Sequence, residues 1–363
     1  MGEIDKKRKV YIDFLKIIAI YMVMFNHTYE KGYLLFTITQ GSNWYPVYLF
    51  CSIFIKIAVP LFFMASGALL LGKEESYKDL LCKRFFKYFL ILLMGSFIAY
   101  LYQCLRLDSE KVSIQKFFTQ LYTKDLTVAY WYLYAYLAFI LMLPLLRKLA
   151  KAMTDQEYKW MFFMFGIIKM LPILDFLIWQ GNAEHNSNFS FFISSDTVFY
   201  PLMGFYLDQR MKKEDFTLKK LLILSGMSVA VITVCGLLTN YKCTLTGEWG
   251  DVPSQTFFKT LIFIPSITVY YRVKMWFTNH ELNGKLCDII AEMGKATFGI
   301  FLFEQICRHE TKFVFYLLEP YIHTFPACCI WILVACICGM TVVLGVRKLL
   351  IPKILKRNQR QIR

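Results

Sequence analysis

The sequence predicts an all-helical integral membrane protein: a bundle of about ten spans with both termini cytoplasmic. Three observations predict it. Of the 363 residues 57% are hydrophobic, those residues fall into runs long enough to cross a bilayer, and the basic residues gather in alternate loops. Charged residues make up only 18% of the chain, against about 25% in soluble domains.

A hydrocarbon core about 30 Å thick needs roughly twenty helical residues at about 1.5 Å each. In chain order the apolar runs cover approximately residues 10–29, 45–71, 85–104, 130–146, 160–179, 189–207, 218–239, 257–271, 289–307 and 327–346. The first run has a basic flank like a signal peptide, but Asp13 and Lys16 interrupt it and no small-x-small cleavage site follows, so it reads as an uncleaved first span. The longest loops, about 105–129 and 240–256, are too short to bury a core, which leaves one transmembrane domain over 1–363 with a basic tail at about 347–363.

The net charge of +15 would suggest a nucleic-acid partner in a soluble protein; its distribution argues otherwise. With the N-terminus placed inside, the inner segments hold roughly 29 Lys and Arg and the outer ones 9. The excess therefore reads as topology and attraction to anionic lipid headgroups, with no nucleic-acid partner. The eleven cysteines lie mainly inside predicted spans and form no C-x-x-C pair, so metal and redox roles are not expected. Cys104, Cys243 and Cys307 fall near one face, where a disulfide is geometrically possible but not indicated.

Ionisable groups near the centre of a bilayer cost roughly 3 kcal/mol or more, so each one inside a span is a candidate for function. They are Asp13, Lys16 and His27 in the first run, Lys56 in the second, Lys169 and Asp175 in the fifth, Asp196 in the sixth and Glu304 in the ninth. Lys16 and His27 are eleven residues apart, three helical turns plus about 20°, so a helix presents both on one stripe about 16 Å long. Asp13 precedes Lys16 by three residues and Glu30 follows His27 by three, which makes each a same-face partner at helical spacing. The plainer readings remain open: Asp13 and Lys16 as headgroup-layer residues with Lys16 snorkelling, and His27 as an interfacial residue. Lys56 and Lys169 read as partners of a buried carboxylate.

After Pro60, the small residues Ser66 and Gly67 permit close helix contact, and the proline frees a carbonyl. Arg84 and Lys87, at i and i+3 at the mouth of the third run, are spaced to grip a phosphate with two cations; ordinary positive-inside anchoring explains the same pair.

At these residues the chain resembles the membrane-bound acyltransferase family 3, the O-acetyltransferases of bacterial surface glycans. Ile12-Asp13-Phe14-Leu15-Lys16 followed by His27 is similar to the family's first-helix signature of an Asp, a basic residue and a His. Pro60 to Leu70 resembles its second-helix block around F-F-x-x-S-G, Arg84-x-x-Lys87 its R-x-x-R pair, and Trp131-Tyr132-Leu133 with Leu143-Pro144-Leu145 its fourth-helix block. Phe199 to Leu207 and Thr297 to Leu302 resemble later blocks. The chain departs in carrying Lys16 and Lys87 where Arg is usual, which keeps the charge and loses the bidentate fork, and Glu304 where the family often has His. A carboxylate there can pair with Arg308 at i+4.

The resemblance implies a multi-pass enzyme of the bacterial cytoplasmic membrane that moves an acyl group, most simply acetyl, from acetyl-CoA to a carbohydrate hydroxyl. No cofactor is bound permanently; acetyl-CoA is a co-substrate. It further implies His27 as general base, oriented by Glu30; Asp13, Lys16, Arg84 and Lys87 as the donor-binding group; and Ser66, Trp131 and Glu304 as pocket residues. Direct transfer and an acyl-histidine intermediate both remain open. The rival classes are a transporter or flippase for a glycan or lipid-linked sugar, and a membrane module without catalysis.

Overall fold

The computed structural model describes residues 8–107, 111–189 and 192–361, with the backbone alone for 193 and 349–361. No strand occurs among these residues. In chain order the main helices are α1 (Val10–Asn26), α2 (Tyr45–Ile55), α3 (Ala58–Leu70), α4 (Tyr77–Leu107), α5 (Ile114–Thr123), α6 (Trp131–Ala152) and α7 (Asp155–Trp179). They continue with α8 (Asp196–Phe205), α9 (Leu218–Thr246), α10 (Phe263–Asn279), α11 (Gly284–Leu302), α12 (Glu304–Glu310), α13 (Phe313–Leu318) and α14 (Thr324–Gln361).

Six segments among the described residues are long and apolar enough to cross a membrane: Tyr45–Leu70, which joins α2 and α3, then α4, α6, α7, α9 and Thr324–Lys348 of α14. The chain is thus a multi-pass membrane protein by its apolar helices. The other four apolar runs also fold as helices but are short or charged. α1 and α10 have 17 residues each, about 26 Å of rise, and α8 has 10. α11 has 19 but carries Lys285, Asp288, Glu292 and Lys295. The count of ten therefore rests on the apolar runs and charge pattern of the sequence, and the cytoplasmic placement of both termini on the charge pattern.

Local chemistry explains several boundaries. The run 45–71 is not one continuous helix. Pro60 has no N–H to give the carbonyl of Lys56, and around the break Lys56 N bonds Ile53 O and Ile57 N bonds Phe54 O, one residue tighter than an α-helix. The third run begins earlier than expected, at Tyr77, and passes through a π-helical stretch at Leu80–Phe85 that contains Arg84. Thr154 and Glu157 form a reciprocal capping box at the start of α7. The ninth run breaks at Phe303, so Glu304 opens a separate short helix rather than lying within a span.

Two compact units are assembled from interleaved segments. The first takes in the described residues of Met1–Phe25, Leu93–Tyr130 and Asn283–Arg363. Here α14 packs on α11, α12 and α13, and the buried indole of Trp331 donates to Arg308 O and Thr311 Oγ1, both at 3.2 Å. The second unit takes in Asn26–Leu92 and Trp131–Leu282. Its most extensive helix contact is α3 on α8, and glycine permits it: a methyl on Gly67 would overlap the Pro201 carbonyl, and one on Gly204 the Met64 carbonyl.

Candidate functional site

α1 ends at Asn26, so His27 lies just beyond the helix rather than on its face, which alters the predicted stripe. The imidazole is 6% exposed. The chain then turns tightly: Tyr29 adopts a left-handed φ of 49°, and Tyr33 N donates to Thr28 Oγ1 at 2.9 Å. Glu30 sits in the 3₁₀ turn Tyr29–Lys31 and is exposed, so the structure does not bury it with His27.

Lys56 reaches this end of α1. Its Nζ donates to Asn26 Oδ1 at 2.9 Å and lies 4.5 Å from the centroid of the Tyr33 ring. An amide oxygen and an aromatic face, not a carboxylate, hold this ammonium, correcting the sequence expectation. Charges on Asp251 and Lys259 also act on it through space. Tyr33 donates its hydroxyl to Gln255 Oε1 at 2.5 Å, and burial, then Asp251, holds that phenol well above its usual range, so it stays a donor. Trp131, at the start of α6, is 41% exposed, with the Lys259 ammonium 5.9 Å from the centre of its ring.

Ser66 turns its hydroxyl back to Phe62 O at 2.9 Å and lies within hydrogen-bonding reach of Tyr132 and Tyr136. Phe63, Tyr132 and Tyr136 wall this spot, with ring centroids of 5.0 Å for Phe63 to Tyr132 and 5.9 Å for Tyr132 to Tyr136.

The two cations of the expected phosphate grip do not converge. Lys87 is exposed, with its ammonium 5.9 Å from the Tyr88 ring centroid. Arg84 turns to Glu75, Nε lying 2.8 and 2.7 Å from the two carboxylate oxygens. The π-helical stretch before Lys87 removes the regular spacing on which the i, i+3 reading depended. A second arginine joins instead: Arg147 donates through Nη2 to Glu75 Oε2 at 3.0 Å and through Nε to Leu70 O at 3.0 Å. Hydrogen bonding from Arg84, ahead of that from Arg147, holds the Glu75 carboxyl below its usual range.

In the first unit, the expected pairing of Asp13 with Lys16 is present at 2.9 Å, and Arg8 completes it from the other side at 2.7 Å. Asp13 is 3% exposed beneath Gly294, where a methyl would collide with it. Glu304, also buried, meets Arg308 Nε at 3.4 Å, as the i+4 spacing predicts. In the second unit Lys169 pairs with Asp196 at 2.8 Å, the carboxylate partner expected of it, and Asp175 pairs with His185 at 2.7 Å.

Sequence reasoning missed Arg8, Tyr33, Glu75, Arg147 and Gln255. Arg147 carried a signal, a basic residue just after the Leu143-Pro144-Leu145 block, yet it reads equally as an anchor.

Neither the curated proteins nor the solved structures provide a match to the chain. The model of an acyltransferase domain matches residues 9–344, nearly the whole chain, and the protein therefore belongs to acyltransferase family 3.

Proposed function

We propose that this membrane acyltransferase moves an acetyl group from cytoplasmic acetyl-CoA to a hydroxyl of a cell-surface glycan or its lipid-linked precursor, in a bacterial cytoplasmic membrane. The observation that carries the reading is the environment of His27: a buried imidazole at a helix end, directly after the Asn26 that Lys56 grips. Acyl transfer needs a base for the attacking hydroxyl and a positive or hydrogen-bonding partner for the oxyanion formed on the thioester carbonyl. His27 is the base. It accepts the hydroxyl proton as the acceptor oxygen attacks the carbonyl carbon; the carbon–sulfur bond then breaks, and the proton passes to the departing thiolate of coenzyme A.

Basic groups at the Arg84 end of α4 would hold the nucleotide and phosphates of the donor. Trp131 and Ser66, each beside exposed or hydroxyl-bearing aromatic rings, would shape the pocket for donor or sugar.

The test is incubation of purified protein in detergent with acetyl-CoA carrying a labelled acetyl group, with and without a crude preparation of glycan or lipid-linked sugar. Release of labelled acetate or labelling of the carbohydrate fraction supports the reading. Protein that neither binds nor turns over the donor overturns it and leaves a transporter for the glycan or lipid-linked sugar as the better description.

A further inference from the structure

We infer that Arg84 and Arg147, held side by side by Glu75, form a phosphate-binding site that takes a phosphate of the nucleotide end of coenzyme A, with Glu75 as its positioning residue. This rests on the donor assignment of the preceding section. It replaces the expected pair of Arg84 and Lys87 with a pair drawn from two helices.

One carboxylate faces two guanidinium groups, and the neighbouring carboxylate, Glu74, is already matched by Lys151 at 2.7 Å. The cluster of Glu74, Glu75, Arg84, Arg147 and Lys151 is left with one net positive charge. Burial sharpens the point, because Arg147 is only 8% exposed and an under-compensated buried cation is costly unless an anion can reach it.

A guanidinium has five N–H donors. Among the described residues Arg84 uses Nε alone, so the outer fork of its two Nη groups is unused. Arg147 uses Nε on Leu70 O and one Nη2 hydrogen on Glu75, which leaves Nη1 and the second Nη2 hydrogen. Glu75 fixes both groups through their inner edges, and the donors that remain are of the forked kind that grips phosphate oxygens with two parallel bonds. A pre-set pair loses less side-chain freedom on binding than two free arginines would.

The experiment uses the full-length protein in a neutral detergent, with coenzyme A and inorganic pyrophosphate titrated by calorimetry and turnover of labelled acetyl-CoA measured in parallel. Arg147→Ala should raise the coenzyme A Kd and the acetyl-CoA KM by about tenfold or more while kcat changes little, as expected for loss of a charge-assisted ground-state contact. Arg147→Lys should fall between, and Glu75→Gln should raise KM about threefold to tenfold with kcat kept. Pyrophosphate should compete with coenzyme A on the wild type and not on Arg147→Ala.

The inference fails if Arg147→Ala or Arg147→Lys, with an unchanged melting temperature, binds both ligands as the wild type does. Should the wild type bind no coenzyme A, the donor assignment falls by itself. Pyrophosphate then decides the site: binding lost in Arg147→Lys retains it, and no binding to the wild type overturns it. Nanodiscs separate the two sources of phosphate. Replacing phosphatidylcholine by phosphatidylglycerol should leave the coenzyme A Kd nearly unchanged; a large weakening that Arg147→Lys abolishes would give the site to a lipid headgroup and overturn the donor assignment.

Discussion

Lys56 donates to the side-chain oxygen of Asn26 at 2.9 Å, and Asn26 is both the last residue of α1 and the neighbour of His27. Lys56 lies where the second apolar run breaks, with Pro60 leaving the Lys56 carbonyl without its helical donor. Through Asn26, Lys56 holds the chain end that carries the imidazole. Lys56→Met keeps the length and removes the charge. It should lower kcat for labelled acetyl-CoA by about tenfold or more, the scale of a lost hydrogen bond to a charged group. Asn26→Ala should act through the same contact, so the double variant should be little worse than either single one. Additive losses would separate the two residues.

Gly67 and Gly204 seat α3 and α8 against each other. Each lies against a carbonyl of the other helix, on Pro201 and Met64, so a side chain at either must push backbone rather than a flexible tip. Gly67→Val or Gly204→Val should destabilise the protein by about 3 kcal/mol, at the upper end of overpacking effects, and lower the melting temperature in detergent. Gly41→Ala, with nothing near its added methyl, should leave melting unchanged.

Glu75 gives a pH dependence with a definite sign. Bonding to Arg84 and Arg147 holds its folded carboxyl below the unfolded value, so its stabilisation is complete above the unfolded value of about 4.3 and is lost as the pH falls through the lower, folded one. The melting temperature of the wild type should exceed that of Glu75→Gln at pH 6, and the gap should narrow below about pH 4. A gap that widens on acidification would contradict the pairing.

Much of the helical pattern was legible because apolar runs report burial in lipid or protein directly. The ion pair of Asp13 with Lys16 was legible because both sit on one regular helix. The small residues after Pro60 announced a close contact, though not that Gly204 is its other half. What was not legible depends on breaks in regularity. The helix end at Asn26 moves His27 off the predicted stripe and leaves Glu30 exposed. Arg84 lies in the π-helical stretch and turns to Glu75 while Lys87 is exposed, and the partner that replaces Lys87, Arg147, lies 63 positions away in sequence, on α6. Long-range pairs of this kind follow from packing and leave no spacing in the chain to read.

The central claim is that His27 is the base that activates the acceptor hydroxyl. It is tested most directly by comparing turnover of labelled acetyl-CoA by the purified wild type and His27→Ala, at matched coenzyme A affinity and melting temperature. Turnover by His27→Ala should fall by about a hundredfold or more, the scale of general-base catalysis, with donor binding retained. Equal turnover by the two proteins would show that His27 is not the base.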